Sequence, residues 1–138
     1  MSESPTMRTW IFAAAINGVI AVAMRAAAAH ALAAHTTPQE RVLMELGADF
    51  QLWHALGLLG VGLLTPHMTA ARGIALLKAV GVAFVMGIVL FSGGLYLLAL
   101  GPKGVSSVVP MGGVLLILGW LGLSAAAFFI DMGPKKRR

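Results

Sequence analysis

Four stretches of this chain, residues 9–24, 50–71, 79–102 and 104–130, contain no Asp, Glu, Lys or Arg. A helix needs about 20 mainly apolar residues to cross the hydrocarbon core of a bilayer. Only helices and closed barrels satisfy every backbone amide and carbonyl where water is absent. These stretches lack the in-out alternation of barrel strands. They predict an all-α, integral membrane four-helix bundle: a single four-span transmembrane domain over residues 1–138. Its helices are expected at about 9–32, 38–64, 72–100 and 106–130, with a basic tail at 131–138. Composition agrees, because 59% hydrophobic and 11% charged residues lie outside the usual range for soluble domains.

The first stretch also has features of a secretory leader, since Arg8 precedes an apolar run and residues 26–29 are all alanine. Asn17 and Arg25 interrupt that run, however, and cleavage would leave three spans with the same need for lipid. The segment is therefore read as the first helix. The second opens on Thr37-Pro38-Gln39-Glu40, a capping box with proline at the first helical position, where no amide is needed. Thr65-Pro66-His67 ends it, because proline lacks an amide and restricts the residue before it. Gly101-Pro102-Lys103-Gly104 separates the last two helices.

Basic residues set the expected orientation. Arg8, Arg72, Lys78 and the tail residues Lys135, Lys136, Arg137 and Arg138 fall on one side of a four-span path. Arg25, Arg41 and Lys103 fall on the other. Seven against three places both termini in the cytoplasm by the positive-inside rule. The same end-clustering leaves no basic stripe that could follow a phosphate backbone, so nucleic acid is excluded as a partner. The chain has no cysteine, which excludes disulfides, thiolate metal sites and cysteine nucleophiles.

Small residues recur every seven positions: Gly87 and Gly94 in the third span, Gly112 and Gly119 in the fourth. Such a repeat keeps one helix face thin, so that backbones can approach and gain dispersion contacts that lipid would not supply. The expected seam belongs either to a tightly packed monomer or to a homo-oligomer face.

Three groups of strings carry a family resemblance. They are Asn17-Gly18 through Ala29-His30-Ala31-Leu32; Phe50-Gln51-Leu52-Trp53-His54-Ala55-Leu56; and Leu90-Phe91-Ser92-Gly93-Gly94-Leu95-Tyr96 followed by Pro110-Met111-Gly112-Gly113 and Gly119-Trp120. In this order they resemble the family called domain of unknown function 423. That family contains small bacterial inner-membrane proteins and the eukaryotic transmembrane protein 256. The resemblance implies a four-helix inner-membrane protein and brings no settled activity. One departure is plain: where the family pattern has Gly-Ala-Phe-Gly-Ala-His, this chain has Arg25-Ala26-Ala27-Ala28-Ala29-His30.

The polar residues inside the spans are the candidate sites. Arg25 is expected near the outer end of the first helix, snorkelling or paired with Asp49, with Glu45 as the alternative partner. His30 and His54 are the candidate metal ligands, because the first helix ends where the second begins. His35, Met24 or Met44 could complete a soft site. Two distant histidines do not form a ligand motif, so hydrogen bonding of His54 to the backbone or to Gln51 is the preferred reading, and no metal or cofactor is assigned. Ser92 and Tyr96 share a face at i, i+4. Ser92 has no acid-base partner, since no carboxylate lies between Asp49 and Asp131 and no histidine follows His67. It is read as a packing or interhelical hydrogen-bonding hydroxyl, and enzymatic chemistry is not expected. The expected function is structural or accessory, in lipid alone or beside a larger membrane complex. A small carrier or channel, with a polar or metal site near the outer face, is the alternative.

Overall fold

The computed structural model describes residues 5–30, 34–101 and 103–131. Four helices run up and down along them: α1 (Pro5–Ala29), α2 (Pro38–Leu64), α3 (Ala71–Leu100) and α4 (Val108–Ala126). Short 3-10 turns occupy Thr65–His67, Lys103–Val105 and Ala127–Phe129. The protein is an all-α membrane bundle.

Local chemistry starts α2. The Glu40 amide donates to the Thr37 hydroxyl at 3.3 Å, and the Glu40 carboxylate accepts from the Thr37 amide at 2.8 Å. Two amides that a helix start would leave unpaired are thereby satisfied. At the far end of α3, Gly101 takes φ 137°, which a residue without a Cβ reaches at no steric cost. The chain then reverses into α4.

Two expected boundaries need correction. The first helix begins at Pro5 rather than at residue 9 and ends at Ala29, where the His30 amide still bonds the Ala26 carbonyl at 3.0 Å. Proline suits a first turn, and Met7 and Ile11 rest against Gly62 of α2, so packing extends the helix through the polar lead. The expected continuation through Ala31 and Leu32 lies outside the described residues, as do Pro102 and the basic residues at 135–138. The fourth helix is shorter than 106–130. Its last turn tightens at Ala127–Phe129, after which Ile130 bridges to Met68 and the Asp131 amide bonds the His67 carbonyl at 2.9 Å. This contact ties the end of α4 to the loop between α2 and α3.

Three of these helices are long and apolar enough to cross a membrane: α1, α3 and α4 with its final turn. The 27-residue α2 is long enough but carries Glu40, Arg41, Glu45 and Asp49 in its first half, and Gln51 and His54 beyond. It is enclosed by α1 on one side and α3 on the other. Each helix packs chiefly on its neighbour in sequence, and α1 and α4 do not pack extensively on each other among the described residues. The bundle is thus a staggered row with α1 and α4 as its edges, in which Trp10 of α1 reaches Gly81 of α3 and α4 touches α2.

The glycines explain how the row closes on its core. Phe84, wholly buried, fills a space between two of them: a Cβ added at Gly119 would stand 2.6 Å from its ring, and one at Gly57 3.0 Å. Gly81 likewise receives the Trp10 indole and Gly47 the Tyr96 ring. Among the four seven-spaced glycines, close backbone approach, which the spacing predicts throughout, occurs at one crossing. There Gly112 lies against the Phe91 amide, and Gly87 faces the Gly112 carbonyl and Leu116. At Gly94 the neighbour is the Val109 side chain, and at Gly119 the Phe84 ring. The repeat therefore serves ring-sized sockets as well as backbone contact, and all four glycines are occupied within the chain.

Candidate functional site: a charged groove between the first two helices

Arg25 lies one turn before the end of α1, about 6 Å along the axis from Ala29 at 1.5 Å per residue. Opposite it, Glu45 and Asp49 project from successive turns of α2, because residues four apart share a helix face. The guanidinium engages both. Its Nη1 donates to Glu45 Oε1 at 2.8 Å and its Nε to Asp49 Oδ1 at 3.3 Å. We expected one partner, Asp49 first; the structure supplies two, and the shorter contact is to Glu45. The Arg25 side chain is 47% exposed and those of Glu45 and Asp49 33% and 42%. Each contact is therefore worth only a fraction of a buried pair, about 0.2–1 kcal/mol.

These three side chains line a groove of about 570 Å³. Its walls are otherwise apolar: Ala21, Val22, Ala26 and Ala29 from α1, Ala48 and Leu52 from α2. The charged groups stand toward the α1 C-terminal end, with Val22 and Leu52 toward mid-helix.

Deeper in the bundle, one polar ladder joins three helices. The Tyr96 hydroxyl on α3 donates to the Gln51 side-chain carbonyl at 2.8 Å, Gln51 Nε2 donates to Asn17 Oδ1 at 2.9 Å, and Asn17 Nδ2 donates to the Ala13 carbonyl at 2.9 Å. Sequence reasoning singled out Tyr96 but gave Asn17 and Gln51 no role as a pair. The signal was present: each is an amide side chain inside a charge-free run.

His54 is buried in an aromatic setting. Its ring stacks on Phe50 with centroids 5.9 Å apart, and Phe84 and Trp120 close in at 5.7 and 6.0 Å. Its Nδ1 is 2.6 Å from the Phe50 carbonyl and donates to it. The backbone is thus its partner, and Gln51 is engaged elsewhere. His54 and His30 do not meet. The Gln51–Asn17 contact puts the start of this turn level with Asn17, and His30 lies 13 residues, about 20 Å, farther along α1. Met44 is also turned away, buried with Ala28 and Ala99. No group of three or more metal-ligating residues exists among the described residues. Ser92 is wholly buried, and its hydroxyl has no hydrogen-bond partner among the described residues. Of the two roles expected of it, packing or an interhelical hydrogen bond, the structure gives it packing, with its own carbonyl against Gly47.

The stretch bearing Arg25, both carboxylates and Tyr96 falls inside the match to a family model described as Protein of unknown function (DUF423), over residues 24–113. The chain belongs to this family. Similar proteins include a UPF0382 membrane protein of Staphylococcus saprophyticus, 34% identical over 90% of this chain and 100% of the relative. UPF0382 membrane protein YwdK of Bacillus subtilis is 33% identical over 88% of this chain and 97% of its own. UPF0382 inner membrane protein YgdD of Escherichia coli K12 is 35% identical over 83% and 86%. No solved structure matches the chain.

Proposed function

We propose that this DUF423 protein is a non-enzymatic accessory component of the bacterial inner membrane, with four spans and both termini in the cytoplasm. The observation that carries this reading is the closed ladder Tyr96–Gln51–Asn17–Ala13. A conduit needs polar groups left free to line a wet path, and a catalyst needs an activated group beside a substrate space. Here Asn17, Gln51 and Tyr96 of three helices are spent on one another and on the backbone, Ser92 is packed rather than open to a path, and Phe84 and Trp10 fill sockets in the core. The fourth span is α2, whose Gln51 and His54 are buried within the bundle. Arg8, Arg72 and Lys78 stand at the end shared by the α1 N-terminus and the α2–α3 loop, which supports the orientation.

Photo-crosslinking residues placed at the exposed edge positions Ile16 of α1 and Ile117 of α4 test the accessory role in native membranes. The reading expects a discrete protein adduct from at least one edge and none from buried Leu58. Lipid adducts alone from both edges would reject it.

The groove at Arg25 favours a second reading, a small carrier loading near the outer face. Vesicles containing the protein would then take up small organic cations in a manner lost in Glu45→Gln.

A further inference from the structure

We infer that the groove between α1 and α2 is a binding site for a zwitterionic phospholipid carrying a primary amine, of the phosphatidylethanolamine class. Three features of the groove select this occupant.

The first is charge. One guanidinium faces two carboxylates, so the lining carries one net negative charge, and Arg25 engages only one oxygen of each, Oε1 of Glu45 and Oδ1 of Asp49. A headgroup ammonium supplies both the missing charge and several N–H donors. Arg25 in turn has guanidinium N–H groups beyond the two used here, which suit a neighbouring phosphate. An anionic lipid would meet a net negative lining, and a choline headgroup has no N–H to donate.

The second feature is polarity along the axis. The charged residues lie within about 6 Å of the α1 end for Arg25, where headgroups reside, whereas Ala21, Val22 and Leu52 continue the groove toward the hydrocarbon. An amphiphile fits that gradient in one orientation only.

The third is shape. Four alanines of the lining leave a trough beside exposed Val22 and Leu52, in which an acyl chain finds apolar walls without displacing a side chain. This site does not depend on the accessory role proposed above.

The test is native mass spectrometry of the delipidated full chain in detergent. It is titrated in parallel with phosphatidylethanolamine, phosphatidylcholine and phosphatidylglycerol of identical acyl chains. The expected result is about tenfold tighter retention of phosphatidylethanolamine than of the other two, the scale of one charge-assisted hydrogen bond. The preference should vanish in the Glu45→Gln, Asp49→Asn double variant. Ala26→Leu fills the trough and leaves the ion pairs in place, so it should lower retention of all three lipids and keeps the test open if the double variant fails to fold. Equal retention of the three lipids by the parent, or a preference for phosphatidylglycerol, would overturn the proposal. So would undiminished phosphatidylethanolamine selectivity in the double variant, or undiminished retention of all three lipids in Ala26→Leu.

Discussion

The Tyr96 hydroxyl donates to the side-chain carbonyl of Gln51 at 2.8 Å, joining α3 to α2. Because Gln51 also donates to Asn17, this one residue holds the central rung of a ladder through three helices. Gln51→Leu leaves the side-chain carbonyl of Asn17 and the hydroxyl of Tyr96 without their partner. It should lower unfolding free energy in detergent by about 1–3 kcal/mol. Tyr96→Phe removes a single interhelical bond and should cost about 0.6–1.7 kcal/mol. In a double-mutant cycle the two losses should fall short of additive; strict additivity would mean that the rung does not exist in solution.

Substitutions at the glycines should rank by what their Cβ meets. Gly112→Ala points at the Phe91 amide, a backbone group that cannot rotate away, and should cost about 1–3 kcal/mol. Gly94→Ala meets a methyl of Val109, which can turn aside, and should cost less. Gly93→Ala, with nothing within 4 Å, should be neutral or slightly stabilising. Thermal melts of the three variants in one detergent give the order, and a Gly93 variant weaker than the Gly112 variant would contradict the α3–α4 crossing.

The cluster at Arg25 should contribute little to stability. All three side chains are a third to a half exposed, so Glu45→Gln or Asp49→Asn should each cost under about 1 kcal/mol, less in high salt. Arg25 keeps one carboxylate in either single variant. The larger effect should come from changing both. A loss of several kcal/mol from one substitution would place the pair in a dry interior.

Topology can be read with single cysteines, since the chain has none of its own. Thr36→Cys and Gly104→Cys should react with a membrane-impermeant maleimide from outside intact cells, and Thr69→Cys only after the membrane is opened. Labelling of Thr36→Cys and Thr69→Cys from the same side would show that α2 does not cross.

The division between sequence and tertiary structure falls along the range of the forces involved. Each helix was legible because desolvating a backbone polar group is a local cost, and a charge-free run states it directly. The α2 start at Thr37 was equally legible, since its cap bonds span three residues. The early start at Pro5 was not, because contact with Gly62, more than fifty positions away in sequence, extends α1 through a polar lead. The glycine repeat pointed to a thin face but not to its occupants. Whether a glycine admits a backbone, as Gly112 does, or an aromatic ring, as Gly119 does, depends on the rotation of the facing helix. The same rotation gave Arg25 two carboxylates and paired Gln51 with residues 34 and 45 positions away, while axial register separated His30 from His54. Hydropathy sets which residues leave water, but axial register and rotation between packed helices set which polar groups then find one another, and only the folded bundle specifies those.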